Sequence, residues 1–221
     1  MKSGPYHLRP TKEAELLLTA LALAALALGT LGCGERIRAT PTPTALFEWP
    51  QGPSSKALLH VRGMGTIEIA LYPQLAPATV DNFLKLAHEG FYDGTTFHRV
   101  IPGFMIQGGA PNTRDDRPDN DGGGTRPNRI PDEFNPAPHE PGSVSMANLG
   151  RPGSADSQFF IVQGSASHLD GKHTVFGRVT SGMDVVDRIT QVDVDVHGRW
   201  GPKNRPISKV IIEEVEAEPA N

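Results

Sequence analysis

The chain has 221 residues, with 21 Lys and Arg against 25 Asp and Glu and a formal net charge of -4 at pH 7. Such a length can bury a core sufficient for one domain without disulfide bonds, and the balance of charges lacks the basic excess of proteins that bind nucleic acid. The 24 Gly and 20 Pro residues favour short strands and turns over long helices.

The N-terminal residues have the layout of a secretory signal. Basic residues, an uncharged run rich in Leu and Ala, and a small residue follow one another: Lys2, Arg9 and Lys12, then residues 16–31, then Gly32. As a helix this run would extend about 24 Å, which is short for a membrane span of about 20 residues. We therefore predict a signal peptide over residues 1–33.

Cys33, the single cysteine, follows directly on this run. One cysteine allows neither an intramolecular disulfide nor a thiol-rich zinc site. Its position resembles the lipid-attachment site of bacterial lipoproteins, which implies a lipid anchor at Cys33. An uncleaved apolar anchor and plain secretion are the alternatives, whereas the neighbouring Gly34 and Glu35 argue against a buried core thiol.

A linker precedes the predicted domain. Residues 34–55 are rich in Pro, Thr and Ser, a composition that favours an extended tether between membrane and domain. The domain is predicted over residues 56–217, followed by a short tail at residues 218–221. It opens with alternating apolar residues at 57–61 and 67–71, which predict two strands joined by a tight turn.

The apolar period then changes to that of a helix. Residues at helical spacing are apolar, a proline stands near the start and a glycine follows the end: Val80, Phe83, Leu84 and Ala87, with Pro77 and Gly90. The pattern predicts an amphipathic helix of about three turns over residues 77–89. We expect it to cap one end of a β-structure.

Short strands and one further helix are predicted in the rest of the chain. The strands are expected at residues 97–101, 104–107, 157–162, 174–179 and 207–215, and residues 112–124 are expected to form a charged, solvated loop. Ser181 and Asp184 have the spacing of a capping box that opens a second helix, with Val185, Val186 and Ile189 facing inward. About eight strands and two helices predict a mainly β fold, a closed antiparallel eight-stranded β-barrel capped by two helices.

The residues most suited to chemistry cluster between positions 97 and 109. Arg99 lies in a short β-compatible run, residues 102–103 predict a turn, and the chain returns through Phe104 and Gln107. This arrangement would place one guanidinium beside apolar side chains and an amide. An isolated Arg is usually a surface charge on a strand, but here the apolar turn that follows faces Arg99 and favours a functional role.

A second group of polar residues lies at positions 168–173, where His168 and His173 flank a Leu-Asp-Gly-Lys run. Two histidines suggest a metal, but their spacing matches no established zinc pattern and no second cluster supports it. We therefore expect no metal and no cofactor. The sequence also has no Gly-x-Ser-x-Gly elbow, phosphate loop or His-Glu-x-x-His helix, which disfavours nucleophilic and nucleotide-dependent catalysis.

The segment at residues 97–109 resembles the signature of the cyclophilin family of peptidyl-prolyl isomerases, and the resemblance extends from about Leu58 to Val215. Further stretches resemble the family in the same order: Ala76 to Phe83 in the first helix, Ser145-Met146-Ala147-Asn148, Ser157-Gln158-Phe159-Phe160, Leu169-Asp170-Gly171-Lys172-His173 and Val175-Phe176-Gly177. The loop at residues 112–124 is more charged than is usual in the family.

The resemblance implies a site that rotates X-Pro bonds without a covalent step. It implies catalytic roles for Arg99, Phe104 and Gln107. Substrate-binding roles are implied for His98, Met105, Ala147, Asn148, Gln158, Phe160, His168, Leu169 and His173. Without the family, Phe104, Met105 and Phe160 are better explained as core residues, and His98 and His173 are also compatible with packing residues. His168 departs from the family, because many cyclophilins that bind cyclosporin tightly carry Trp there.

These features together predict a monomeric peptidyl-prolyl isomerase that assists the folding of extracytoplasmic proteins by acting on their proline-containing segments. It is expected to be tethered to a membrane by its N-terminal lipid or anchor, or alternatively secreted. Two other functions stay open. One is a module on the same fold that binds proline peptides with little turnover, and the other is a signal-bearing β-barrel with unrelated ligands.

Overall fold

The structure, a computed structural model, describes residues 47–51, 55–123 and 129–218. The predicted signal with Cys33, most of the predicted tether and the last three residues lie outside these ranges. Among the described residues, no helix combines the length and the apolar character needed to cross a membrane. Residues 46–221 form one compact unit.

The described part of this unit is mainly β. Its elements are β1 (Ser55–Val61), β2 (Gly65–Leu71), α1 (Pro77–His88), β3 (Arg99–Ile101), β4 (Met105–Gly108), β5 (Ser143–Met146), β6 (Phe159–Val162), β7 (Val175–Ser181), α2 (Met183–Thr190), β8 (Val194–Asp195), β9 (Arg205–Pro206) and β10 (Ile212–Glu218). Short 3-10 turns lie at Pro111–Arg114, Pro118–Asn120 and Ser167–Leu169.

Eight of the strands form one antiparallel, curled sheet in the order β10, β1, β2, β7, β5, β6, β4, β3, while β8 and β9 form a separate two-stranded ladder. The mainly β class and the two helices are confirmed, but the predicted closed barrel is wrong because β3 and β10 do not pair. Thr96 and Ile211 form only an isolated bridge between these edges. The N–H of Val100 in β3 donates instead to the carbonyl of Asn204, at 2.8 Å.

The predicted pair of opening strands and the first helix are confirmed. Alternate residues of β1 and β2 are buried, and Val80, Phe83 and Ala87 of α1 are buried in the same core. The helix has no side-chain cap from its own N-cap residue. Instead the Glu133 carboxylate accepts hydrogen bonds from the N–H groups of Ala78 and Thr79, at 3.0 and 2.8 Å.

The second helix begins differently from the prediction. Ser181 is the last residue of β7, and Gly182 is the N-cap of α2 with a φ of 89° and no side-chain cap. A β-carbon at Gly182 would collide with the carbonyl oxygen of Thr66, so the tight strand-to-helix turn requires glycine. The capping box of Ser181 and Asp184 is therefore wrong. The buried positions Val185, Val186 and Ile189 are confirmed.

The last predicted strand starts too early. β10 begins at Ile212, whereas Ile207 is 53% exposed. The Ile207 N–H donates to the carbonyl of Asp193 instead, next to the β8–β9 ladder. A β-compatible composition at residues 207–211 was thus overridden by a local pairing that the sequence pattern does not reveal.

Part of the predicted tether packs on the domain. Residues 47–51 include Trp49, whose ring lies 5.2 Å from the ring of Tyr72, with the guanidinium of Arg178 5.3 Å from the indole. The indole N–H donates to Glu140 at 3.3 Å. Residues 47–51 are therefore held by one aromatic side chain rather than being fully extended into solvent.

Candidate functional site

Side chains alternate between the two faces of the neighbouring strands β3, β4 and β6, and one of these faces is an apolar surface outside the main core. In β4, Ile106 is buried in the main core, whereas Met105 and Gln107 lie on the other side. Met105 pairs with Val162 in β6, and Gln107 pairs with Phe160 and with Arg99 of β3. The predicted return of the chain from Arg99 to Gln107 is confirmed by this register.

A second hydrophobic cluster forms on this face, separate from the main core. Met105, Phe160, Val162 and Ala166 are buried in it, and Ile101, Phe104, Ala147 and Leu169 pack against it. An open pocket of about 400 Å³ lies over the cluster. Its lining consists of Arg99, Phe104, Met105, Gln107, Ala147, Asn148, Phe160, Leu169 and His173. The pocket therefore brings nine of the predicted site residues together.

Arg99 is held at the pocket by a chain of amides. Its Nη1 donates to Gln107 Oε1 at 3.3 Å, Gln107 Nε2 donates to Gln158 Oε1 at 3.1 Å, and Gln158 Nε2 donates to the carbonyl of Gly122 at 3.1 Å. Partial burial lowers the pKa of Arg99 from its ordinary value, but a guanidinium titrates so high that the charge persists at neutral pH. The pocket thus combines an apolar floor with one oriented cation.

The opposite wall is formed by the chain around residue 147. His173 Nδ1 lies 3.0 Å from the carbonyl of Met146, so this nitrogen carries the proton and donates. The Asn148 side chain is engaged within its own loop, because it donates to the Lys172 carbonyl and accepts from the Gly150 N–H, both at 3.0 Å. The polar groups of the Asn148 side chain are therefore engaged within the protein rather than directed into the pocket.

His98 and His168 do not line this pocket. His98 is 5% exposed and packs against Gly122, where desolvation lowers its pKa to about 4. It is therefore neutral at pH 7 and lies behind the amide chain. His168 is exposed, and its ring lies 5.4 Å from the ring of Phe104 at an angle of 34°, at the rim of the pocket.

A second pocket of about 400 Å³ adjoins the first. It shares Gln107, Ala147 and Asn148 with the first pocket and is also lined by Gly122, Leu149, Ser154, Asp156 and Gln158. The sequence analysis did not single out Gly122, Leu149, Ser154 or Asp156. Their only signal is their position in the loops next to the recognised motifs.

The sequence analysis also missed two buried polar residues behind the first pocket. His139 lies in Pro-Ala-Pro-His-Glu-Pro, which looks like a solvated loop, and Ser145 is the first residue of a motif in which only Ala147 and Asn148 were given a role. Both are at most 1% exposed. A usable signal would have been Ser145 itself, since a serine in an otherwise apolar strand requires a partner. In the described part of the chain, no group of three or more His, Cys, Asp or Glu is placed to hold a metal ion.

Comparison with known proteins agrees with this geometry. The family model described as cyclophilin type peptidyl-prolyl cis-trans isomerase/CLD matches residues 57–217. The chain is 51% identical over 128 residues to peptidyl-prolyl cis-trans isomerase B of Bacillus subtilis, covering 58% of this chain and 85% of that protein. It is 46% identical over 134 residues to a peptidyl-prolyl cis-trans isomerase of Helicobacter pylori, covering 59% and 77%.

Solved structures are also similar. A cyclophilin type peptidyl-prolyl cis-trans isomerase of Cryptosporidium parvum matches with a TM-score of 0.66 and 27% identity, over 75% of this chain and 98% of that chain. The same protein in the presence of the dipeptide Ala-Pro matches with a TM-score of 0.65 and 27% identity, over 75% and 99%.

Proposed function

Because the chain belongs to the cyclophilin-type peptidyl-prolyl cis-trans isomerase family, we propose that it catalyses rotation about X-Pro bonds in exposed segments of other proteins. One observation carries this proposal. Arg99 lines the same open pocket as the apolar side chains of Phe104, Met105, Phe160 and Leu169, so a cation and an apolar wall can contact one proline together.

The chemistry requires no cofactor. The barrier to rotation, about 18–20 kcal/mol, exists because the nitrogen lone pair is shared with the carbonyl. An apolar pocket that grips the proline ring disfavours the polar resonance form. As the bond twists, the lone pair localises on nitrogen and becomes a better acceptor for the Arg99 guanidinium. The interaction is therefore stronger in the transition state than in the ground state, which is the condition for catalysis.

The direct test is a protease-coupled isomerisation assay with the full chain and a peptide that contains Ala-Pro. We expect the chain to accelerate cis-to-trans conversion in proportion to its concentration. Saturable peptide binding without acceleration would instead support the proline-binding module. If the chain neither binds the peptide nor accelerates its isomerisation, the remaining candidate is a β-structure with unrelated ligands.

We further propose that the enzyme works outside the cytoplasm on a lipid tether at Cys33, where it assists the folding of extracytoplasmic proteins. The support is the order of basic residues, the uncharged run at 16–31 and Gly32 ahead of the single cysteine. A single lipid chain binds membranes only marginally, and a stable anchor takes a second signal such as a second acyl chain or a polybasic patch.

The tether proposal predicts the effect of Cys33→Ser. This change should release the protein from the membrane fraction or leave an unprocessed precursor, because residues 34–55 contain no apolar run that could hold a bilayer. Cell fractionation and intact mass measure both outcomes. Thr40→Ser, a polar exchange in the predicted tether, is the control and should change neither. Identical mass and fractionation of the Cys33→Ser protein would exclude lipidation.

His168 is expected to weaken cyclosporin inhibition. An imidazole buries less apolar area than an indole and donates from a given nitrogen in only one tautomer. His168 lies at the rim against Phe104, outside the pocket lining. His168→Trp should therefore tighten inhibition by roughly five- to a hundredfold, about 1 to 3 kcal/mol, with little change in kcat/KM. Inhibition constants before and after the exchange decide this, and an unchanged constant would contradict it.

A further inference from the structure

A buried imidazole lies directly behind the proposed proline pocket. The His139 side chain is 1% exposed, and both of its ring nitrogens have partners. Nδ1 lies 2.9 Å from Asp170 Oδ1, and Nε2 lies 3.1 Å from Ser145 Oγ. The His139 backbone N–H also donates to Asp170 Oδ1 at 2.8 Å. His139 is thus joined to two separate segments of the chain.

These partners are neighbours of the pocket lining. Asp170 follows Leu169 in sequence, and Ser145 belongs to β5, which leads directly into Ala147 and Asn148. Ser145 is also paired across β5 and β6 with Phe160. The imidazole of His139 stacks on the Phe160 ring at 5.9 Å between centroids and 17° between planes. One ring therefore contacts the apolar floor and is bonded to both walls.

The hydrogen bonds define how the protons are placed. A carboxylate can only accept, so Nδ1 of His139 carries the proton that is donated to Asp170. In the neutral ring Nε2 is then an acceptor, and the Ser145 hydroxyl, 3.1 Å away, is the donor within reach of it. In the structure the Ser145 hydroxyl donates to the carbonyl of Thr174 at 2.9 Å, but that carbonyl also accepts from the Met146 N–H at 3.0 Å, so the hydroxyl can turn to Nε2 and leave the carbonyl with a donor. The neutral arrangement therefore leaves no group without a partner.

We propose that neutral His139 is a positioning residue that holds Phe160, the β5 wall and the Leu169–Asp170 wall in the geometry that grips proline. The inference rests on the proposed isomerase function. His139 does not line the pocket, so it acts through Phe160 and the two walls and not on the substrate.

Protonation would change this arrangement in a defined way. A second ring proton would make Nε2 a donor, so the Ser145 hydroxyl would have to turn from His139 to the Thr174 carbonyl. Desolvation by burial lowers the pKa of His139 from its ordinary value, the hydrogen bond and charge of Asp170 raise it, and the neighbouring His173 and His168 lower it. The net direction is downward, so the ring is neutral at pH 7.

The sign of the linked stability follows from that direction. Since the unfolded chain takes up the proton at a higher pH than the folded one, the stability due to neutral His139 is complete above the ordinary value of 6.5 and declines as the pH falls below it. We expect the grip on proline to weaken at acid pH for the same reason.

The first measurement uses the native protein. Long-range ¹H–¹⁵N correlation of the full chain with ¹⁵N-labelled histidine should show His139 protonated at Nδ1 and unprotonated at Nε2 at pH 7. The opposite tautomer, or a charged ring at pH 7, would overturn the proposal. The assignment of the signal comes from its loss in His139→Phe.

The second measurement separates the positioning role of His139 from a contribution to stability alone. His139→Phe keeps an aromatic ring for Phe160 but removes both hydrogen bonds, and it should raise KM about fivefold with kcat within about twofold. Unchanged KM in the folded variant would contradict the proposal. If the variant does not fold, Asp170→Asn decides, because it retains an acceptor oxygen but removes the charge that raises the pKa of His139.

Asp170→Asn should shift the acid limb of the kcat/KM profile to lower pH. Asp184→Asn is the matched control, since Asp184 is an exposed carboxylate paired with Arg188 on α2, and its profile should stay unchanged. An acid limb that does not move in Asp170→Asn would overturn the proposal. If the native chain shows no isomerase activity, the dissociation constant of an Ala-Pro peptide replaces KM. Failure of the proposed isomerase function can then be distinguished from failure of the positioning role of His139.

Discussion

Replacing Arg99 with alanine is expected to lower kcat/KM for isomerisation at least tenfold, which corresponds to about 1.4 kcal/mol of transition-state stabilisation. The reason is that Arg99 brings the guanidinium to the pocket, where Gln107 orients it at 3.3 Å. The loss should fall mainly on kcat, since donation to the proline nitrogen strengthens as the bond twists. The coupled isomerisation assay measures it, and circular dichroism verifies folding.

Two further variants make this result specific. Arg62→Ala removes an exposed guanidinium that pairs with Glu213 on the surface and should leave turnover unchanged. Arg99→Lys keeps the positive charge but loses the planar fork, so we expect activity between those of the native protein and Arg99→Ala. A folded Arg99→Ala protein with native turnover would remove Arg99 from the mechanism and favour the proline-binding module.

Truncation of two adjacent phenylalanines on β6 should affect different properties: stability for Phe159 and peptide binding for Phe160. Phe159 is fully buried in the main core and its ring meets those of Phe83, Tyr92 and Phe97. Phe159→Ala should therefore lower the free energy of unfolding by about 3–5 kcal/mol. At roughly 2–4 °C per kcal/mol for a domain of this size, the expected loss in Tm is roughly 6–20 °C. Thermal unfolding measures the effect.

Phe160→Ala is the matched comparison. Phe160 points to the other side of the strand, where it forms part of the floor of the open pocket. Water can therefore occupy part of the space that truncation leaves. Its stability loss should be the smaller of the two, whereas KM for a proline peptide should rise about tenfold because the floor of the pocket is gone. Equal losses of stability, or a Phe160→Ala protein with native KM, would show that the two faces of β6 are not divided in this way.

Local patterns in the chain were sufficient for most of the site. The alternation around Phe97–Ile101, the turn at residues 102–103 and the return to Gln107 predicted that Arg99 and Gln107 would meet, and they are paired in register. Phe160 and Val162, two residues apart in β6, likewise lie in one cluster, as the alternation of a strand requires. These contacts are between strands joined by short turns, or between residues two apart, so the period of a strand determines them.

Such local patterns did not predict the contacts between segments that are distant in the chain. The start of α2 was misjudged because the approach of Gly182 to Thr66 depends on how β7 packs beside β2. Closure of the sheet was misjudged because a count of strands contains no information on whether the two edges meet. Val100 of β3 bonds to Asn204 rather than to β10, and such a contact between segments far apart in the chain has no local sequence pattern.

The sequence by itself thus determined the family, the strand and helix content and nine residues of one pocket, because these depend on local period and on motifs of adjacent residues. Only the tertiary structure placed His98 and His168 outside the lining and brought His139, Ser145 and Asp170 together. Buried polar groups take whatever partner the fold brings within hydrogen-bonding distance. That partner can stand anywhere in the chain, so no spacing rule predicts it.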